Sequence, residues 1–251
     1  MRIALFLLIS IMINPAVGSS QDLNLRDIVY KAENRLRGES SVAEAKITIV
    51  RPKYTRDMTL KTWSKTEDYN IMYITSPARD LGTVYLKREK EIWYYLPSIE
   101  RNIKMPPSMM NQSWMGTDMS NDDLVKKTSL ADDFSHELVG EETLEGVDCH
   151  HIRLIPNEDA DVVWGKVEIW VDKELFNVMR QQQFDEDMEL VNTMNAFDVK
   201  EMGGETLPTR LEIVPADKPN QKTVMTYTSL QFDIEIEDAF FTTQNMTVIQ
   251  P

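Results

Sequence analysis

The sequence predicts a mainly β fold with a little α: one large, curled antiparallel sheet of about eleven strands, covered by an N-terminal helix and a helix-and-loop lid. Three observations predict it. From residue 41 onward, apolar residues recur at period two in short segments spaced about ten residues apart. Short polar turns separate these segments, which favours hairpins over parallel crossovers. Only one long segment, near the N-terminus, has helical spacing. A sheet of that size curls rather than staying flat, and its inner face then needs a cover.

The elements follow in order. Residues 22–37 place Leu25, Ile28, Val29, Ala32 and Leu36 at helical spacing, with Asp22 as a cap and Gly38 as the stop. Ala43, Ala45, Ile47 and Ile49 then alternate with polar residues, and Met58, Leu60 and Trp63 continue the pattern. Further strands are expected over 68–75, 83–87, 91–96 and 99–105. A short helix is expected over 120–127, because Ser120-Asn121-Asp122-Asp123 is a helix-start signature. Phe134 to Leu144 and Val147 to Ile155 face each other across Glu145-Gly146. Lys166 to Asp172 pairs with Asn177 to Phe184. Leu190 to Met202 and Thr206 to Val214 are joined by Gly203-Gly204, a strong hairpin signal. Thr223 to Phe232 is the last long strand, and a terminal turn over 238–241 is expected to plug a sheet edge.

The least ordinary stretch is Tyr94 to Leu124. Five of the 15 methionines fall between positions 105 and 119. Pro106-Pro107 forbids ladder hydrogen bonds and detaches the segment from a sheet. Methionine adapts to apolar partners of variable shape, so Met105, Met109, Met110, Trp114 and Met115 read either as an adaptable lid over an apolar cavity or as filler tucked into the core. Trp63 and Tyr94 are candidate cavity walls. Read at period two, Ile99, Arg101 and Ile103 share a face, which makes Arg101 a candidate polar anchor, with Asp118 as a possible acidic partner. Trp93 and Tyr95 face one way and Ile92, Tyr94 and Leu96 the other, so this strand is expected to be covered on both sides.

Met1-Arg2 followed by an uncharged apolar run, with Ala16-Val17-Gly18 at cleavage spacing, reads as a signal peptide over 1–18. Asn14-Pro15 interrupts the run too early for a membrane anchor. Residues 19–251 are then expected to form a single exported domain, a monomer. The chain carries a net charge of -14, and losing Arg2 makes the mature domain more acidic still. Such a field disfavours nucleic acid and anionic membranes as partners. The single cysteine, Cys149, excludes an internal disulfide and reads as a buried apolar residue. His150 and His151 are adjacent and point to opposite faces of a strand, so they cannot share a metal. No phosphate loop, nucleophile elbow or other catalytic constellation is present, so no cofactor, no metal and no enzymatic activity are expected.

The run WYYLPSIERNIKMPPSMMNQSWMGTDMSNDDL, from Trp93 to Leu124, resembles the outer-membrane lipoprotein-sorting proteins, the LolA-like group. Leu36-Arg37-Gly38, Arg56-Asp57-Met58-Thr59-Leu60 with Trp63, and Ser76-Pro77 before Gly82 extend the resemblance over most of the chain. Met119 stands where that group more often has an aromatic. The resemblance implies a curved, incompletely closed antiparallel β-barrel whose open side is covered by helices and a loop. It also implies a cavity for acyl chains of lipoproteins or another lipid, carried toward the outer membrane or an exporter. The other role it implies is that of a lipid-sensing regulator or accessory subunit of a membrane exporter.

Overall fold

The computed structural model describes residues 23–249 apart from 37, 67, 90, 111, 122, 124–128 and 161. The expected signal peptide and most of the expected helix over 120–127 lie outside the described residues. No helix of the described residues is long and apolar enough to cross a membrane.

The first helix, α1, spans Leu25–Asn34 and buries Ile28, Val29 and Ala32. Its cap is Asn24 rather than Asp22: the Asn24 side chain accepts a hydrogen bond from Asp27 N at 3.1 Å. Gly38 follows at a φ of 61°, and a Cβ there would sit 2.9 Å from the Phe232 ring. Glycine satisfies both the left-handed conformation and the close approach.

Six strands then form a meander: β1 (Ser40–Arg51), β2 (Tyr54–Lys65), β3 (Tyr69–Ser76), β4 (Val84–Arg88), β5 (Glu91–Leu96) and β6 (Arg101–Lys104). Seven more form a second: β7 (Phe134–Leu144), β8 (Val147–Pro156), β9 (Lys166–Asp172), β10 (Val178–Phe184), β11 (Leu190–Met202), β12 (Glu205–Pro215) and β13 (Lys222–Phe232). Every expected segment carries a strand, and the strands number thirteen rather than about eleven. All thirteen belong to one sheet, in the order β6-β5-β4-β3-β2-β1-β13-β12-β11-β10-β9-β8-β7. The first and last strands pair at the centre, and β6 and β7 are its free edges, so the sheet is curved but not closed.

Local irregularities build the curvature. The pairing of β1 with β13 slips between Glu44 and Ala45, leaving Thr228 as an extra residue. That of β10 with β9 slips between Val178 and Arg180. Bulges bend a strand and increase its twist. Each also resets which residues face inward, so Tyr227 and Leu230, three apart, both reach the inner side.

The inner face carries two covers. Helix α1 lies over the β7–β9 end, where Ile28, Val29 and Ala32 pack with Phe134, Ile152 and Ile169. The loop from Met105 to Asp123 lies over the other half, where Trp114 packs against Ala45, Ile47, Leu60 and Ile74. The outer face has its own core. Ile71, Val84 and Leu86 pack against Phe241 and Met246 of the C-terminal segment, flanked by Trp63, Trp93 and Tyr95. The expected terminal turn is a short 3-10 helix, Asp238–Phe240. It lies flat on this outer face rather than at an edge. Asn102 Nδ2 donates to Thr243 O at 2.8 Å, and Lys65 Nζ to Ile236 O at 2.9 Å, which tie the segment down.

Candidate functional site

The inner face of the sheet and its two covers enclose a cavity of about 390 Å³, inside the range of small-molecule sites, about 300–1,000 Å³. Strand alternation builds its wall row by row. Ala43 of β1 lies opposite Thr62, Thr62 opposite Met72, and Met72 opposite Tyr85. The next row runs from Tyr227 through Ala45 and Leu60 to Ile74. Small side chains at 43 and 45, where neighbouring strands carry large ones, leave the room. Met225, Leu211 and Met194 extend the apolar wall toward β11. Burial pushes the Tyr85 hydroxyl up to about 12 and raises that of Tyr227 as well.

At the α1 end the wall turns polar. Ser41 lies opposite Ser64, Ser64 opposite Asn70, and Asn70 opposite Lys87, so one polar row crosses four strands. Asn70 Nδ2 donates to Ser64 Oγ at 2.7 Å. Arg35 and Asn177 complete this end of the lining. Arg35 pairs with Glu205 at 2.6 Å, and Asn177 Nδ2 donates to Thr206 O at 3.2 Å. Arg35 Nε and Asn177 Oδ1 are both buried without a hydrogen-bond partner.

The opposite end opens into a groove of about 1000 Å³ that shares Met119 and Asp123 with the cavity. Asp118, Asp185 and Asp217 line it together with Arg51 and Lys218. The lid is fastened there. Arg51 pairs with Asp118 at 3.0 Å, and Arg56 Nη2 donates to Met115 O at 2.8 Å. Ser120 and Asp123 bond reciprocally, Ser120 N to Asp123 Oδ2 at 2.7 Å and Asp123 N to Ser120 Oγ at 3.1 Å, the pattern of a capping box.

The structure separates the residues singled out from sequence. Trp114 is buried at the cavity wall, edge-on to Tyr85 with ring centroids 5.8 Å apart. Met115 packs with it on the sheet. Met105, Met109, Met110 and Tyr94 gather around Ile92 beside the cavity, on the same face. Met105 and Trp114 are buried, Met109, Met110, Met115 and Met119 are half-buried, and Trp114 and Met119 reach the lining. Trp63 is a correction. Its neighbours Thr62 and Ser64 face the cavity, so strand alternation turns Trp63 to the outer face, where its ring meets Phe240 at 5.7 Å. Arg101 is exposed on the edge strand β6, outside the cavity lining. Ile99 does not share its face, because it sits in the turn before β6 and is 51% exposed. The carboxylate expected beside Arg101, Asp118, pairs with Arg51 instead.

Most of the lining was missed at the sequence level. Ala43 and Ala45 carried a usable signal, since two small residues on the inner face of a central strand mark a hollow. Arg35 and Asn177 carried none. No group of three or more His, Cys, Asp or Glu among the described residues could hold a metal. His150 and His151 do face apart: His151 stacks on Trp170 at 4.1 Å, while His150 faces Glu141.

A family model described as an uncharacterized protein matches residues 66–248, most of the chain. The chain belongs to that family. No curated protein matches it. Among solved structures, a protein of the DUF1329 family from Desulfovibrio piger is 23% identical, with a TM-score of 0.78 over 88% of this chain and 97% of that one. A domain from Vibrio parahaemolyticus named for outer-membrane lipoprotein sorting is 17% identical, with a TM-score of 0.76 over 88% and 97%. A LolA superfamily protein from Nitrosomonas europaea is 22% identical, with a TM-score of 0.72 over 88% and 98%. These likenesses establish the fold as the LolA-like open half-barrel, which bears out the resemblance read from residues 93–124.

Proposed function

We propose that the protein is a non-enzymatic carrier that takes the acyl chain of a lipoprotein, or another lipid, into the cavity between α1 and the loop from Met105 to Asp123. The observation that carries this reading is the cavity itself: about 390 Å³, apolar along its body, held between two covers and polar at one end. Its place is the periplasm, reached by way of a signal peptide over 1–18, and it passes its cargo to an acceptor at the outer membrane or an exporter. The solved structure named for lipoprotein sorting supports this as an analogy of fold alone.

Magnitudes say how such a ligand is held. Ten buried methylenes contribute about 8 kcal/mol of transfer free energy. Association costs at least about 4 kcal/mol of lost freedom, which leaves roughly millimolar affinity from a chain of that length alone. A carrier that must not shed its cargo therefore needs a longer chain, a second chain or polar contacts at the head.

Native mass spectrometry of the protein purified from its own cell envelope, followed by lipid extraction, tests the reading. A co-purifying lipid or lipopeptide supports it and names the class. An empty protein that also fails to take up fluorescent fatty-acid probes overturns it in favour of an accessory or sensor protein.

A further inference from the structure

We propose that the polar end of the cavity is a head-group subsite for an uncharged group that both donates and accepts hydrogen bonds, an amide or hydroxyl next to the acyl chain. This rests on the carrier reading and specifies its ligand. The first argument is from unpaired atoms. Asn177 is 1% exposed and lines the cavity. Its amide nitrogen is committed to Thr206 O, which fixes the orientation of the amide and leaves Oδ1 as a buried acceptor with no partner. Arg35 lines the same end and leaves Nε as a buried donor with no partner. Buried unpaired polar atoms are uncommon in folded proteins and call for an explanation. One donor and one acceptor left at one end of one cavity ask for a ligand group offering the complement of both.

The second argument is from placement. The same end carries the row Ser41, Ser64 and Asn70, neutral hydrogen-bonding side chains brought together by the registers of β1 with β2 and of β2 with β3. Beyond that row, these strands line the cavity with Ala43, Ala45, Ile47, Leu60, Thr62 and Met72, apolar but for Thr62. A chain lying in the apolar body would therefore present its head here. The third argument is charge. The Arg35 guanidinium is already matched by Glu205 at 2.6 Å, and Glu33 and Lys87 line the same end of the cavity with opposite charges. This end therefore offers an anionic head no excess of positive charge, whereas an uncharged amide or hydroxyl needs none.

The experiment is calorimetric titration of the folded protein with three probes of one chain length: dodecanamide, dodecanoate and methyl dodecanoate. The expected result is that the amide binds about tenfold tighter than the methyl ester, the effect of one to two net hydrogen bonds, and tighter than the carboxylate. Asn177→Leu should abolish that preference while the methyl ester still binds. Asn177 also supports the turn before β10, so Ser64→Ala provides a milder variant expected to narrow the preference with the fold intact by circular dichroism. Equal affinity for all three heads would overturn the subsite and leave the carrier reading standing, as would a preference for dodecanoate. A preference untouched by both variants would overturn the assignment to these residues. Failure of all three probes to bind would overturn both proposals together.

Discussion

Arg51 at the end of β1 and Asp118 in the lid loop form an ion pair at 3.0 Å, with side chains 12% and 5% exposed. Arg51 also donates to Gly116 O at 2.7 Å, and Thr223 Oγ1 donates to Asp118 Oδ2 at 2.8 Å. The lid loop is thereby bolted to the two central strands at the groove end of the cavity.

Removing one member strands the other. Asp118→Ala should cost about 3 kcal/mol, since an uncompensated buried charge is worse than no pair. In a domain of this size that lowers Tm by about 6–12 °C. The double variant Arg51→Met/Asp118→Leu should recover most of the loss in urea denaturation. A double variant as unstable as the single one would show that the hydrogen bonds to Gly116 and Thr223, not the charge, hold the loop.

Filling the hollow should separate binding from stability. Ala45 is 3% exposed and lines the cavity. Ala45→Leu places a branched side chain in space the fold leaves open, so stability should hold or rise slightly while fatty-acid affinity falls about tenfold or more. Fluorescence titration and a thermal melt on the same sample check both. Trp114→Asp is the poorer probe of the lid, because a carboxylate in that buried position would disrupt the fold itself.

The outer core should contribute to stability alone. Phe241 is fully buried, with ring centroids 5.5 Å from Tyr69 and 5.4 Å from Phe240. Phe241→Ala should cost about 3–5 kcal/mol and leave lipid affinity within twofold when measured well below the melting temperature. A large loss of affinity in the folded variant would mean that the two faces are coupled through the sheet.

Acid should weaken the protein partly through Glu168. Burial raises its carboxyl, but hydrogen bonds from Lys166, Arg153 and His151 outweigh that and hold it below the usual glutamate range. A depressed folded value stabilises the protein above the unfolded value, about 4.3, and that stability is lost as pH falls through the folded value. Glu168→Gln should therefore be less stable than the parent at pH 7, with the gap closing below about pH 4. Urea midpoints across that range check it, and a gap independent of pH would exclude the mechanism.

Strand alternation made the fold legible. Ala43, Ala45, Ile47 and Ile49 alternate with polar residues in sequence, and all four are buried in the structure. Gly203-Gly204 announced its hairpin, with φ values of 65° and 85° that glycine adopts freely. The site was less legible for a physical reason. A half-covered antiparallel sheet is expected to show a polar outer face, a rule that Trp63 breaks. The C-terminal segment covers that outer face with Phe240 and Phe241, and nothing periodic in those residues says where they will lie. The slips at Thr228 and near Met179 change facing by one residue, which composition does not encode. Asn177 reaches the cavity from the turn that precedes β10, where no strand alternation predicts its facing.

The seam between β1 and β13 also sets the order in which this molecule can be built. Ser41 is opposite Phe232 and Val50 opposite Lys222, so each rung of the central ladder joins residues from opposite ends of the chain. Pairings of such separation must meet their loop-closure entropy before any contact rewards it, and they slow folding. As the chain emerges where it folds, β1–β6 can assemble while β1 still presents an open edge, and it stays open until β13 follows. The strand that walls the cavity is therefore also the one left longest without its neighbour, and mutations in β13 should show first as misassembly of the whole chain.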